Sequence, residues 1–296
     1  MPRHRPKHSL PGWIGHVTQT LQRVQQQTLG NPDSTYPGFA RPGLGIRQPG
    51  ARSHGNPVPF QPARGHTTGL NSNFNIIDIS QPIAGTTACF PGDIPFSRQI
   101  TVEHSDSGVI NLSAFTMSPH VGTHADAPVH IQGDMRHPTS SAKTIGQLEL
   151  SPFIGPAVVV DISPWTQAIT WEQIQASLTG WAEFPTRILF KTQPQNRAEQ
   201  FSPPYAWPDA ALIPELARRG VVLIGIDTPS VDHVDSQTLE THHALLKSGI
   251  VWLENLDLTL APATLPSEEP PVLVALPLKL MELEASPVRA VLLAQK

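Results

Sequence analysis

Residues 120–130 concentrate side chains that can bind a metal ion. The three imidazoles and one carboxylate of this segment are His120, His124, Asp126 and His130. Zinc and similar divalent ions bind both neutral imidazole nitrogen and carboxylate oxygen well. Gly122 allows a tight turn, and the flanking Pro119 and Pro128 reduce the backbone freedom that a precise site has to lose. The segment therefore predicts a metal site, although solvated loop histidines could share this spacing by accident.

A second group of possible ligands lies much later in the chain. His242 and His243 fall on a predicted helix, residues 238–247, and Glu254 follows a predicted strand, residues 250–253. A short turn between helix and strand lets the chain fold back and bring His242 and Glu254 to one place. Histidines on a helix and an acid at a strand end are also common surface features. The first segment is one ligand short of a full shell for two ions, which this pair would complete.

Length, composition and charge exclude several classes of protein. The 296 residues suffice for one large domain or two small ones, and a hydrophobic content of 39% supplies a core. A net charge of −4 argues neither for nucleic acid nor for an anionic membrane surface as a partner. No run approaches the roughly 18 apolar residues that span a bilayer. The single cysteine, Cys89, excludes a disulfide framework and a cysteine-based zinc site. We therefore expect a cytoplasmic protein that binds neither nucleic acid nor membrane.

The beginning of the chain differs in composition from the rest. Residues 1–70 contain eight Arg or Lys residues, and Asp33 is their only acid. They are rich in Pro, Gly and Gln, a composition typical of disorder. A short basic amphipathic stretch at residues 13–24 also fits an organelle-targeting segment, and an over-extended reading frame is a third interpretation. We predict a disordered extension over residues 1–71 and a single domain over residues 72–296.

After the extension, apolar runs alternate with helical patterns. The predicted strands are residues 76–79, 109–117, 157–162, 187–191, 221–226, 250–253, 272–276 and 288–293. The predicted helices are residues 171–178, 209–219 and 238–247. Several strands are continuous apolar runs, which indicates that both of their faces are covered. Together these elements predict an α/β fold with a mixed sheet.

Two further acids, Asp227 and Asp232, flank a turn after the predicted strand at residues 221–226. Ligands often gather at the carboxyl ends of strands in α/β sheets. Short acidic side chains also cap turns by accepting hydrogen bonds from nearby backbone N–H groups. Both roles are open for these two residues.

The first segment and several later ones resemble the cyclase family of metal-dependent hydrolases. The family signature is matched by His120-x-Gly122-Thr123-His124-x-Asp126-Ala127-Pro128-x-His130. Further similar segments are Pro91-Gly92-Asp93 and residues 223–232, 253–257, 275–279 and 285–290, the last of which looks like the family's final strand. The later segments are most similar to the bacterial-type kynurenine formamidase (arylformamidase) branch. The resemblance implies a homodimer with a swivelling β/β/α-type fold, in which the partner chain helps to close the pocket.

The resemblance also implies a role for each candidate residue. The first of two divalent ions would be held by His120, His124 and Asp126, and the second by Asp126, His242 and Glu254. Asp126 would therefore bridge the ions, and His130 would act as the acid–base residue rather than as a ligand. The metal would be Zn²⁺ or, as an alternative, Mn²⁺, since both accept nitrogen and oxygen ligands. No role for His243 follows from the resemblance.

The implied reaction is hydrolysis of N-formyl-L-kynurenine to L-kynurenine and formate, a step of tryptophan breakdown. A metal-bound hydroxide would attack the formyl carbonyl, and His130 would pass a proton to the leaving amine. One residue departs from the family pattern: Phe90 stands where the family has a tryptophan that lines the substrate pocket. Phenylalanine keeps an aromatic face for an aryl ring but lacks the indole N–H. Three alternatives stay open: a sister hydrolase of a cyclic amide such as isatin, a metal-binding protein without catalysis, and binding of nucleic acid or membrane through the basic residues 1–70.

Overall fold

The structure is a computed structural model that describes residues 74–104, 110–133, 142–196 and 198–296. The predicted disordered extension, residues 1–71, and the predicted domain boundary at residue 72 lie outside the described residues. Within the described part of the chain, no helix has the length and apolar character needed to cross a membrane.

The described chain forms fourteen strands and three α-helices. The strands are β1 (Phe74–Asp78), β2 (Ser97–Val102), β3 (Leu112–Thr116), β4 (His124–Asp126), β5 (Ile154–Pro156), β6 (Val158–Asp161), β7 (Ala168–Ile169), β8 (Arg187–Lys191), β9 (Trp207–Pro208), β10 (Leu223–Ile226), β11 (Val251–Glu254), β12 (Val272–Val274), β13 (Ala285–Pro287) and β14 (Val291–Gln295). The helices are α1 (Trp171–Ile174), α2 (Leu212–Arg218) and α3 (Glu240–Ser248).

A six-stranded sheet in the order β13-β4-β11-β10-β8-β6 forms the centre of the molecule. Strands β6, β8, β10 and β11 are parallel to one another, whereas β4 pairs antiparallel with both β11 and β13. The sheet is therefore mixed, as predicted. All four residues of β10 are buried, in agreement with the coverage of both faces that its apolar run indicates.

Three smaller strand groups accompany this sheet. An antiparallel sheet has the order β1-β14-β12-β5. Strands β2 and β3 form an antiparallel hairpin, and β7 and β9 form a short parallel pair. Every residue of β2 and β3 is exposed, although the ring of Phe96 stacks on that of Phe115, so the described residues leave most of this hairpin uncovered.

Alternation of side chains along the central strands divides the core into two clusters. In β6, Val159 packs in one cluster with Leu273 of β12 and Leu292 of β14. Its neighbour Val158 packs in the other cluster with helical residues such as Leu216 of α2. Successive residues of a strand point to opposite faces, so the small sheet covers one face of the large sheet and the helices cover the other. This β/β/α layering confirms the predicted fold class.

All eight predicted strands are present, with ends that differ from the predictions by at most three residues. The three predicted helices are also present, but α1 ends at Ile174 instead of residue 178. Ser177, Thr179 and Gly180, which are poor helix formers, follow its end. The expectation that residues 285–290 form the last strand is wrong, since β13 covers part of that segment and β14 follows it.

Candidate metal centre

Strand β4 brings the first candidate ligands together on the helix-covered face of the large sheet. His124 and Asp126 are two residues apart in β4, so their side chains lie on the same face. Glu254 of β11 is the antiparallel neighbour of His124, which places these two side chains side by side. His124 Nε2 lies 3.5 Å from Asp126 Oδ1 and 3.3 Å from Glu254 Oε2. All three residues are buried.

His120 and His130 approach the same point from the two ends of the segment. Gly122 turns the chain before β4 with a φ of +71°, a conformation that glycine adopts without strain. After β4, the 3₁₀ turn Pro128–His130 brings His130 back, and its ring centroid lies 4.6 Å from that of His120. His120 Nδ1 lies 3.1 Å from Asp126 Oδ1. The segment therefore converges on Asp126.

Helix α3 supplies the remaining histidine. His242 Nε2 lies 3.7 Å from Asp126 Oδ2 and 3.5 Å from Glu254 Oε1. The next residue, His243, is exposed, so the two histidines are not interchangeable. The predicted return from helix to strand thus brings His242 to Glu254, and all the predicted ligands and His130 meet in one place.

Two histidines are held through Nδ1, which leaves Nε2 for another partner. His124 Nδ1 donates to the carbonyl oxygen of Gly122 over 2.9 Å. His242 Nδ1 donates to Asp232 Oδ2 over 2.6 Å. Asp232 also accepts the backbone N–H groups of Thr241 and His242, at 2.8 and 3.1 Å. Asp232 therefore caps the start of α3 and orients the ring of His242, which extends the capping role considered for it.

Unpaired buried atoms indicate what the centre can hold. Across the described residues, five buried side-chain nitrogen or oxygen atoms have no hydrogen-bond partner. Three of them lie here and are His124 Nε2, Asp126 Oδ1 and His242 Nε2. A buried polar atom without a partner costs about 1–3 kcal/mol, and a cation bound by imidazole nitrogen and carboxylate oxygen removes that cost. These residues therefore fit a divalent metal ion.

The ligand atoms group somewhat differently from the predicted sets. Among the residues that the structure describes, two groups have all their ligand atoms within 4.8 Å of one another. One group contains His120, Asp126 and His130, and the other contains His124, Asp126 and Glu254. Asp126 belongs to both, in keeping with a shared ligand, whereas Glu254 is grouped with His124 rather than with His242.

The electrostatics of the centre favour positive charge. Burial opposes ionisation of Asp126, but the positive charge of three neighbouring histidines, His120 foremost, holds its pKa well below the usual range. Burial likewise opposes protonation of His242, yet its carboxylate neighbours raise its pKa to about 10. The carboxylates thus stay negative and attract a proton or a metal ion. Burial lowers the pKa of His130 relative to that of a free imidazole.

A cavity of about 360 Å³ adjoins the centre. One part of its wall consists of three candidate ligands and the candidate acid–base residue: His120, His242, Glu254 and His130. Another part is aromatic: Phe90 and Phe201 meet edge to face, with ring centroids 5.1 Å apart. Among the described lining residues there is no lysine or arginine. The cavity therefore joins an aromatic patch to the candidate metal ligands, and its lining includes four acidic residues, Asp93, Asp227, Glu254 and Glu284.

Comparison with known proteins identifies the family. A family model described as a putative cyclase matches residues 77–233, more than half of the chain. The chain belongs to the cyclase family. The kynurenine formamidase of Paracidovorax citrulli is 41% identical over 219 residues, which are 73% of this chain and 94% of that protein. That of Bacillus cytotoxicus is 37% identical over 216 residues, which are 73% and 96% of the two chains.

Solved cyclase-family structures share the fold. A potential metal-dependent hydrolase with cyclase activity superposes with a TM-score of 0.61 at 23% identity, covering 75% of this chain and 99% of that chain. Isatin hydrolase A from Labrenzia aggregata bound to benzyl benzoate has a TM-score of 0.62 at 23% identity, covering 75% and 94%. At these identities the likeness concerns the fold.

The residues matched by the cyclase model include the signature at 120–130 and end before His242. Two residues that touch the signature were missed from the sequence. Trp252 Nε1 donates to Asp126 Oδ2 over 2.9 Å, and Glu284 Oε1 lies 3.6 Å from His120 Nε2. Trp252 looks like one more apolar residue of a strand, so no signal pointed to it. Glu284 directly precedes the similar segment at residues 285–290, which could have drawn attention to it.

Asp227 and Cys89 line the cavity without joining the centre. The Asp227 carboxylate accepts the backbone N–H groups of Thr192 and Gln193, at 2.8 and 2.9 Å. It thereby ties the end of β10 to the chain that follows β8, and burial raises its pKa to about 6. Burial also raises the pKa of the Cys89 thiol, which makes this residue a poor nucleophile.

Proposed function

We propose that this cyclase-family protein hydrolyses N-formyl-L-kynurenine to L-kynurenine and formate. The observation that carries the proposal is the meeting of three unpaired buried ligand atoms with a partly aromatic cavity. The unpaired atoms suit a metal-dependent hydrolase, and the aromatic wall suits an aryl amide. The relatives named kynurenine formamidase, at 36–41% identity, support this substrate.

The proposed ligands are His120, His124 and Asp126 for one ion, and Asp126, His242 and Glu254 for a second. When bound, divalent ions would supply Lewis acidity, which polarises an amide carbonyl and lowers the pKa of a water molecule from about 15.7 toward 7. The nitrogen and oxygen donors suit Zn²⁺, with Mn²⁺ as an alternative. The protein keeps these donors in place through the hydrogen bonds to His124 and His242, because a fixed ring does not have to be ordered when the ion binds.

His130 is the proposed acid–base residue. Its ring lines the cavity and lies between those of His120 and His242, with centroid distances of 4.6 and 5.6 Å. A ring in this position can accept a proton from the attacking water and pass it to the departing aryl amine nitrogen. Such positioned proton transfer contributes typically about 10²–10⁴-fold in rate.

Phe90 and Phe201 form the proposed contact for the aryl ring of the substrate. Both rings line the cavity, and an aryl group of the substrate would meet such rings offset-stacked or edge to face. The cavity volume of about 360 Å³ falls within the range of small-molecule sites, about 300–1,000 Å³. Phe90 therefore keeps the aromatic character of the position, although it lacks the indole N–H.

A homodimer is proposed on the basis of the uncovered β2–β3 hairpin. Its exposed apolar side chains include Ile100, Leu112 and Phe115, which are 54%, 50% and 66% exposed. Apolar strands left uncovered in a monomer are typical of interaction surfaces, and a second copy of the chain is the proposed cover. Light scattering measures the mass in solution, and Phe115→Glu should shift a dimer toward monomer. A monomeric wild-type protein would contradict the dimer.

The test of the function follows the release of L-kynurenine from N-formyl-L-kynurenine by absorbance. Chelator treatment should abolish turnover, and Zn²⁺ or Mn²⁺ added back should restore it. Isatin is the matched comparison substrate, since its cyclic amide would suit a sister hydrolase. Hydrolysis of isatin alone would move the function to that sister enzyme. Bound metal with turnover of neither compound would refute the proposed reaction.

A further inference from the structure

Trp252 lies beneath the metal centre and touches two of its residues. Its side chain is 2% exposed, and its indole Nε1–H donates to Asp126 Oδ2 over 2.9 Å. The indole also meets the ring of His242 edge to face, with centroids 5.4 Å apart at an interplanar angle of 89°. A buried donor at this distance acts directly on the carboxylate that is proposed to serve both ions.

The hydrogen bond makes the two oxygens of Asp126 different. Oδ2 accepts the indole N–H and is the oxygen that faces His242, at 3.7 Å from Nε2. The nearest neighbours of Oδ1 among the described residues are the proposed ligands His120 and His124, at 3.1 and 3.5 Å. One oxygen is thus engaged by a residue outside the proposed ligands, and the other faces the proposed ligands themselves.

The two carboxylate oxygens of Glu254 also have different neighbours. Its Oε1 accepts the backbone N–H of Val231 over 2.8 Å and lies 3.5 Å from His242 Nε2. Its Oε2 lies 3.3 Å from His124 Nε2. In both carboxylates, therefore, the oxygen on the His242 side already accepts a protein N–H group. An oxygen that accepts a hydrogen bond has less charge and one lone pair fewer to offer a metal ion.

Building on the proposed two-ion centre, we propose that the indole N–H of Trp252 makes the two ion positions unequal. The position at His120 and His124 uses Asp126 Oδ1, which faces proposed ligands rather than the indole N–H, and it binds the first ion tightly. The position at His242 has engaged oxygens and binds the second ion more weakly. Of the two N–H donors, only that of Trp252 can be removed by substituting a side chain, because Val231 donates through its backbone.

Zn²⁺ titration of the metal-free protein against a competing chelator measures both dissociation constants. The wild type should show two constants that differ by about 10-fold or more, a scale typical of hydrogen bonds to metal ligands. Trp252→Phe removes the N–H and keeps an aromatic ring. In this variant Oδ2 no longer accepts the indole N–H, so the position at His242 should bind Zn²⁺ more tightly. Oδ1 is less firmly oriented, so the position at His120 and His124 should bind Zn²⁺ less tightly. The ratio of the two dissociation constants should therefore decrease by about 10-fold. Trp181→Phe is the matched control, since its indole donates to the backbone of Ser177, and it should leave the ratio unchanged.

Three results would overturn the proposal. The first is a wild type with two equal constants or with a single bound ion at saturating Zn²⁺. The second is an unchanged ratio in Trp252→Phe, and the third is an equal loss at both positions, which a merely structural role of Trp252 would give. The wild-type titration decides the inequality even if Trp252→Phe does not fold. Because no substrate is used, unequal binding in a protein that does not hydrolyse N-formyl-L-kynurenine would refute only the proposed substrate.

Discussion

The two halves of the candidate metal centre are built in different ways. In the half formed by residues 120–130, a turn at Gly122, a three-residue strand and a 3₁₀ turn fold three histidines around Asp126. In the half formed by α3 and β11, a helix and a strand bring His242 and Glu254 together by packing on each other. The first half depends on local backbone conformation, and the second depends on tertiary structure.

The two halves also differ in the group that accepts the Nδ1–H hydrogen bond of their histidine. His124 is held by the backbone carbonyl of Gly122, whereas His242 is held by the side chain of Asp232. Substitution of a side chain can remove the hydrogen bond of His242 to Asp232, but not that of His124 to the backbone of Gly122. The first half should therefore be most sensitive where the backbone conformation is special, and the second half where a single carboxylate supports it.

Asp126→Ala tests what the two halves share and should have the largest effect. Asp126 contacts histidines of both halves, so the variant should lose both ions and all measurable turnover. Metal content per chain, measured by plasma mass spectrometry, and kynurenine release check this. A variant that kept one ion would show that one half binds metal without the shared carboxylate.

His130→Ala separates chemistry from metal binding. The ring belongs to the first half but is not a proposed ligand, so metal content should stay near that of the wild type. Turnover should fall by about 10²–10⁴-fold, the usual contribution of positioned proton transfer. Steady-state kinetics at saturating substrate measure the effect. Full turnover in this variant would show that the acid–base assignment is wrong.

Asp232→Asn acts on the second half alone. An amide oxygen is a weaker acceptor for His242 Nδ1–H, so the second ion should bind about 10–100-fold more weakly while the first stays unchanged. Asp235→Asn, an exposed acid in the same loop, is the matched control and should change neither constant. Chelator competition with Zn²⁺ measures both. Equal weakening at the two positions would mean that the halves are not independent.

Gly122→Ala acts on the first half and should have the smallest effect on metal binding and turnover, because it changes no proposed ligand. Its φ of +71° is unfavourable for alanine, and an added Cβ would lie 2.9 Å from Ile83 Cγ1. Together these should destabilise the fold by about 2–3 kcal/mol. Gly220→Ala is the control, with a φ of +86° and nothing within 4 Å of the added Cβ, and should cost about 1 kcal/mol. Urea denaturation measures the free energy of unfolding of both variants. An equal decrease in the two would mean that the Ile83 side chain moves away from the added Cβ at no cost.

The sequence predicted most of the longer elements and the ligands, but it missed β2, whose six residues are all exposed and contain too few apolar side chains for a pattern, and it missed most of the very short or distant features. Runs such as residues 187–191 are long enough for a pattern, and β8 has the predicted bounds. Strands β4, β5, β7, β9 and β13 have two or three residues, too few for a period to appear. The pairing of Asp232 with His242 joins residues ten apart across a loop, and no local spacing signals it. The role of Trp252 could not be predicted, because its N–H reaches Asp126 only when β11 pairs with β4.

The position of β4 between β11 and β13 has a consequence for the order in which the protein matures. During synthesis, the segment at residues 120–130 leaves the ribosome well before the two strands that flank it. Long-range strand pairing is slow to form, so the nascent chain carries these histidines without the neighbours that orient them. A metal ion that needs ligands from both halves would therefore bind late in maturation, and it would stabilise only chains in which the sheet has closed around β4.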